Sequence, residues 1–285
     1  MLFRSANYPR LALAETAALI QLGARDQASG AIQRALEADP KAPNVSALQA
    51  HALLPVPALA PKLAAWFRTG DARTRAAVCA SVAADSDVPF VGKGLRDADA
   101  TVRATCVDAA IRQGRARAAP AVVRRLRELV LDRDRMVRAR AVAALGILDR
   151  GIRAASDPAP EVRAAAIASA TEAELRTLAG DPDPDVRASA IAALADKAPE
   201  LVQRAAADVA PQVRRAAIAA LADDETLGRL TADVAPDVAT QALVEWARRR
   251  GRGAVTPSLF GQLAAAPTAS AERVRIALSW LLARP

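Results

Sequence analysis

The fold is decided by three consecutive stretches: Asp157–Ala170, DPAPEVRAAAIASA; Asp181–Leu194, DPDPDVRASAIAAL; and Asp208–Leu221, DVAPQVRRAAIAAL. Asp and Pro open each one, a Val-Arg pair follows, and an alanine-rich tract carries Ile. Each part has a physical reading. Asp accepts from the free N–H groups of a first helical turn, and Pro suits that turn because it has no N–H to leave unbonded. In the second copy Val186, Ala190, Ile191 and Leu194 recur at helical spacing and form an apolar face.

Working outward, a degenerate copy, DVAPDVATQALVEW, begins at Asp233. Earlier ones surround Val102-Arg103 (DADATVRATCVDAA) and Val137-Arg138 (DRDRMVRARAVAAL). Thr74-Arg75 in GDARTRAAVCASVA is a weaker member, and Val274-Arg275 in ASAERVRIALSWLL closes the series. From Thr74 the copies recur at intervals of 28, 35, 25, 24, 27, 25 and 36 residues, enough for one pair of helices per interval. Shorter second helices fill the gaps. Thr171-Glu172-Ala173-Glu174 reads as a capping box before Leu175 and Leu178, while Ala198–Val202 and Glu225–Leu230 occupy equivalent slots. A unit this small cannot bury its own apolar face. Stacked neighbours can, which predicts an all-α, right-handed α-solenoid.

Composition agrees with an all-α class. Apolar residues make up 52% of the 285 but aromatics only 3%. Alanine, the best helix former, supplies most of the apolar share, and no sustained alternating strand pattern exists. These residues resemble the HEAT-like repeat superfamily, including its short PBS-lyase HEAT-like units. The 24–27-residue intervals also resemble leucine-rich repeat variants, in which a helix alternates with a very short or 3₁₀ helix. The resemblance spans about residues 70–285. It implies a fold, and no single activity, because such folds serve many functions.

The N-terminal segment differs. ALAETAALIQLGARDQASGAIQRALEADPKAP resembles one tetratricopeptide unit, with Leu22-Gly23, Ala28, Ala31, Ala35-Leu36 and Pro40 near its small and turn positions. Two parts are therefore expected: a helical cap over residues 1–62, ending near the prolines Pro55, Pro57 and Pro61, and a repeat solenoid over 63–285 that closes with a C-terminal helix pair.

Several function classes are disfavoured. A single histidine, His51, and two cysteines, Cys79 and Cys106, cannot build a His-cluster metal site or a disulfide framework. No metal or other cofactor is expected. The cysteines hold nearly equivalent places in successive repeats and read as buried packing thiols. His51 reads as a surface or half-buried residue of a helix over Ser46–Leu54. No P-loop, dinucleotide fingerprint or nucleophile elbow is present, and Gly92-Lys93-Gly94 reads as a helix end or turn. The longest uncharged stretch, Ala42–Pro61, carries four prolines, which argues against a membrane helix. The N-terminus lacks a signal-peptide core, so a cytoplasmic protein is expected.

The formal charge is +8, which suits nucleic acid, anionic lipid or an acidic protein. The preference for Arg over Lys also suits a GC-rich bacterial genome. The periodic arginines Arg103, Arg138, Arg163, Arg187, Arg214 and Arg275 are placed for a ladder of ion pairs with turn carboxylates. The candidate partner-binding residues lie elsewhere. The stretch from Arg112 to Arg153 holds twelve Arg against four acids. A helix from Pro120 to about Leu131 turns Val122, Val123, Leu126, Leu129 and Val130 inward and Arg124, Arg125 and Arg127 outward. Arg112, Arg115, Arg117, Arg133 and Arg135 flank that helix, and Arg248, Arg249 and Arg250 form a second, smaller candidate.

The function expected from these readings is non-enzymatic: a scaffold that presents a basic surface to an acidic protein partner. The alternative is a solenoid that binds nucleic-acid backbones. Within the same superfamily resemblance, alkylpurine DNA glycosylases use aromatics around a damaged base and a catalytic Asp. Trp66, Trp246 and Trp280 are widely spaced and no catalytic Asp can be matched, so that activity is the weaker alternative.

Overall fold

The computed structural model describes residues 9–38, 43–82, 90–112, 120–148 and 152–250, together with residues 275 and 279. Among these residues every regular element is helical, and no helix is long and apolar enough to cross a membrane. The chain divides into two compact units, residues 1–152 and 153–285. The boundary expected at 62–63 falls inside the first.

In the first unit α1 (Pro9–Gln21), α2 (Arg25–Glu37) and α3 (Val45–Leu53) pack on one another. Gly23, with φ of +76°, makes the left-handed turn between α1 and α2. The repeats follow as α4 (Ala60–Thr69), α5 (Ala72–Ala80), α6 (Phe90–Gly94), α7 (Ala100–Arg112), α8 (Pro120–Leu129) and α9 (Arg135–Leu148). One set of helices forms a row in which α3 packs on α5, α5 on α7 and α7 on α9. The helices α4, α6 and α8 pack against that row.

The core is aliphatic, with Leu59, Leu63, Val78, Leu95, Val102, Val107, Leu126 and Leu145 all buried. One stacked aromatic pair, Phe67 and Phe90, joins α4 to α6 with ring centroids 5.0 Å apart.

The second unit repeats the plan with shorter helices. Its first helices are α10 (Pro160–Ala166), α12 (Pro184–Ala193), α14 (Pro211–Ala217) and α16 (Pro236–Arg250). Its second helices are α11 (Glu172–Leu178), α13 (Pro199–Ala205) and α15 (Asp224–Leu230). Pro stands in the first turn of α10, α12, α13 and α14. Thr171 and Glu174 form the expected capping box at α11. The 3₁₀ turns close the first helices, at Ile167–Ser169 and Ile218–Ala220, while the second helices are α-helical.

The Val-Arg periodicity becomes a ladder. Arg75, Arg103, Arg163, Arg187 and Arg214 each grip the next repeat's turn carboxylate with Nε and Nη2: Asp97, Asp132, Asp181, Asp208 and Asp233 in turn, at 2.7–3.0 Å. In the last four, Nη1 donates to carbonyls five and six residues upstream, as Arg187 does to Asp181 and Pro182. Each Asp also accepts from the backbone N–H two residues on. One guanidinium thus closes its own turn while holding the next. Arg138 makes the same upstream contacts, to the carbonyls of Asp132 and Arg133.

Two readings are corrected, those of the cysteines and of His51. Cys79 and Cys106 are fully buried, as expected, but are joined in a disulfide between α5 and α7, with Cα atoms 5.2 Å apart. Gly92-Lys93-Gly94 ends the short helix α6, one of the two expected outcomes. A side chain at Gly94 would collide with the Cys106 sulfur, so only glycine fits there. His51 is buried, its Nδ1 3.1 Å from the Ser81 carbonyl. The packing of α3 on α5 places it against the end of α5, a contact no local pattern reveals. The C-terminal helix pair and Trp280 lie outside the described residues.

Both partners of the Arg103–Asp132 rung are more than nine-tenths buried. Removing one leaves a buried charge uncompensated, so Arg103→Ala is expected to cost about 3–5 kcal/mol in urea unfolding. Arg176→Ala, which breaks exposed pairs with Glu172 and Glu200, is expected to cost about 1 kcal/mol or less.

The rungs also set the acid response. Hydrogen bonds from Arg75, Arg163 and Arg187 hold the carboxyls of Asp97, Asp181 and Asp208 below their usual value, against the opposing effect of burial. In Asp132 and Asp233 burial is the largest influence and pushes upward, yet the arginine and backbone bonds leave the net shift downward. A depressed folded-state pKa contributes stability that is present above the unfolded value, about 4 for Asp, and is lost as pH falls through the folded value. Urea midpoints are therefore expected to hold from neutrality to about pH 4 and to decline below it. The pair Asp181→Asn, Asp208→Asn is expected to lower the plateau and flatten that acid limb.

Candidate functional site

The arginines outside the ladder divide by what their guanidinium groups touch. Arg112, at the end of α7, donates from Nε to the Val82 carbonyl at 2.9 Å and from Nη2 to those of Cys79 and Ala80 at 3.0 and 3.2 Å. It satisfies the free carbonyls at the C-terminal end of α5, where a cation also complements the helix dipole. That ties neighbouring repeats together, a structural task the sequence left unseen because donor and acceptors lie some 30 residues apart.

Arg248 and Arg249 are likewise engaged. Arg248 donates to both oxygens of Glu245, at 2.7 and 2.8 Å, and Arg249 to Glu245 at 2.8 Å. Arg249 also reaches Asp224, 3.6 Å away, and so fastens α16 to α15. The Arg248 hydrogen bond, with that of Arg249, lowers the Glu245 carboxyl to about 2 despite burial. Arg250 lies in α16, but its side chain is outside the described set, as are Arg115 and Arg117.

The amphipathic reading of α8 holds. Leu126 and Leu129 are buried, Val122, Val123 and Val130 pack against the core, and Arg124 and Arg127 are exposed. Arg125 departs from it. Its Nε donates to the Leu95 carbonyl just past α6, at 3.1 Å, and its Nη1 to Glu128 at 2.7 Å. Arg125 therefore clamps α8 to the previous repeat, while Arg133 is exposed in the turn that leads to α9 and Arg135 is exposed at its first position.

That clamp brings together residues the sequence kept apart. Arg96, just beyond α6, is exposed, and its charge reaches Glu128 of α8 along with that of Arg124; Lys93 of α6 and Arg127 of α8 are exposed as well. Over residues 90–96 and 120–129 five cations accompany one acid, Glu128. Its carboxyl is lowered first by the Arg125 hydrogen bond, with Arg96 and Arg124 adding their charges. Lys93 and Arg96 were not among the expected site residues. The only sequence signal for them was their place one repeat before α8.

A second polar cluster lies on the row of first helices. Asp108 of α7 is half-buried and ion-paired to Arg140 of α9. Burial raises its carboxyl pKa, and the nearby charges of Arg140 and Arg112 only partly oppose that. The pair bridges neighbouring helices. The one histidine, His51, is buried against Ser81 instead.

Among the described residues no group of three or more His, Cys, Asp or Glu is placed to hold a metal ion. Neither a protein-family model nor a curated protein matches the chain.

Stability should separate these roles. Arg112→Gln strands the carbonyls that end α5 and is expected to cost about 1–3 kcal/mol in urea unfolding. Arg124→Gln, a surface change, is expected to stay within about 0.5 kcal/mol of the parent.

Proposed function

We propose that this chain is a non-enzymatic α-solenoid of short HEAT-like repeats that binds an acidic protein partner through a basic face of its first unit. One observation carries the reading. Ladder arginines are neutralised by their own carboxylates, and the excess positive charge collects on α6 and α8, where five cations accompany Glu128. Rigid helices hold those groups in a fixed pattern, and a preorganised surface loses less freedom on binding than mobile loops would. Exposed guanidinium groups then give bidentate contacts to partner carboxylates.

The reading extends to a right-handed superhelical path and to a scaffold role in a bacterial complex. It includes residence in the cytoplasm. There the Cys79–Cys106 bond would face a reducing medium, which disfavours disulfides in general. Full burial of both sulfurs limits a reductant to moments of local opening.

Binding to nucleic-acid backbones uses the same cations and is separated by experiment. The probes are a labelled polyglutamate peptide and a labelled DNA duplex, each titrated at several salt concentrations. Polyglutamate is expected to bind saturably, and Lys93→Glu, Arg124→Glu, Arg127→Glu together are expected to weaken it about tenfold or more, with circular dichroism checking that the variant remains folded. Arg125 is left in place because it clamps α8. Retained polyglutamate affinity in the triple variant would remove this face from the proposal. Tighter binding of duplex, falling linearly in log affinity against log salt, would favour the nucleic-acid reading.

A further inference from the structure

Successive repeats of the second unit can be compared position by position. Between α11 and α13, over the Arg187–Asp208 rung, lies a cleft of about 290 Å³ whose floor includes Ile191, Leu201 and Val213. Between α13 and α15, one repeat on, the corresponding hollow is only about 130 Å³. Three substitutions at equivalent positions account for the difference.

The residue before the turn Asp is Gly180 in the first cleft and Ala207 in the second. A side chain at Gly180 would meet nothing closer than the Thr177 carbonyl at 3.5 Å, so its absence leaves open space. Five residues before the Asp, Arg176 is drawn aside to Glu172 and Glu200. Its counterpart Gln203 instead reaches Thr226 at 2.7 Å and closes the second hollow. Seven residues before the next turn Asp, Leu201 gives the first cleft an apolar wall where Thr226 gives the second a hydroxyl.

The cations differ in the same way. Arg229, in the closed hollow, donates to Thr226 at 2.9 Å. Arg204, its counterpart at the open cleft, is exposed, and its guanidinium makes no hydrogen bond or ion pair among the described residues. The other two lining arginines are neutralised, Arg187 by Asp208 and Arg176 by Glu172 and Glu200. Glu200 also feels the Arg204 charge, after that of Arg176.

We propose that this cleft binds a single carboxylate carried on a short apolar group, with the Arg204 guanidinium gripping the carboxylate and Leu201, Ile191 and Val213 covering the apolar part. One unengaged cation suits a monoanion rather than a phosphate dianion, and a planar guanidinium matches a carboxylate in bidentate geometry. Two sources share that chemistry: a free short-chain acid, and the C-terminus of a peptide ending in an apolar residue. The site does not depend on the basic face of α6 and α8.

The test uses the full chain. Hexanoate, hexylamine, and an acetylated tetrapeptide ending in leucine, with free or amidated C-terminus, are titrated by calorimetry while Arg Nε–H resonances are followed by NMR. Hexanoate or the free-carboxylate peptide is expected to bind saturably and to shift the Arg204 signal, with hexylamine and the amide inert; whichever binds more tightly identifies the source. Arg204→Gln is expected to weaken binding about tenfold or more. Arg229→Gln, at the closed hollow, is expected to leave it unchanged, and Gly180→Leu supplies a second variant that narrows the cleft. Absence of saturable binding by both carboxylates at millimolar concentration would overturn the proposal. So would equal affinity in the Arg204→Gln and parent proteins.

Discussion

Four of the repeats, those of Arg103, Arg163, Arg187 and Arg214, each depend on one guanidinium that faces two ways. Nη1 closes the turn that starts its own helix pair, while Nε and the other terminal nitrogen hold the carboxylate that starts the next. Small repeats with alanine-rich faces bury little apolar surface apiece, so register between neighbours needs a directional interaction as well as packing. The rung supplies it, because a planar fork accepts a carboxylate in one orientation only. Taking two charges from water is costly, and the pair offsets that only when every hydrogen bond is made. Here the carboxylate also receives a backbone N–H, so its acceptors are met on two sides.

That arrangement changes how the chain's basic character is understood. Most of the regularly spaced arginines carry no net charge outward, since each is matched within its rung. Further arginines act as ties: Arg112 over the end of α5, Arg125 over the end of α6, Arg249 between α16 and α15. The exposed cations of the proposed face come from two neighbouring repeats, Lys93 and Arg96 from one and Arg124 and Arg127 from the next, and the Arg125 bond to Leu95 ties those repeats together.

The two units solve the same problem with different helix lengths. In the second, the first helices run seven to ten residues before α16, and two of them end in 3₁₀ turns. In the first, α7 and α9 run 13 and 14 residues, and a buried disulfide and a buried histidine contact join neighbouring helices. Departures from the repeat therefore mark where local chemistry differs. The open cleft at Gly180 is the same principle at one position: a missing side chain and a diverted arginine turn a filled hollow into a receptive one.

Much was legible in the sequence by itself. Helix starts followed from Pro in the first turn, the inward face of α8 from its 3.6-residue period, the capping box from Thr171 and Glu174, and the rungs from Val-Arg recurring opposite turn carboxylates. All of these are local or periodic, and periodicity converts a distant contact into a repeated local one. The opening Asp, expected to cap its helix, instead holds the turn before it, and Asp183 caps α12. The rest needed the tertiary structure, because it joins residues about 30 positions apart whose contact no local pattern specifies: Arg112 with the end of α5, Arg125 with Leu95, Cys79 with Cys106, His51 with Ser81. Whether an arginine faces a partner or a neighbouring carbonyl is a matter of which backbone lies within reach of its fork, and only the packed helices determine that.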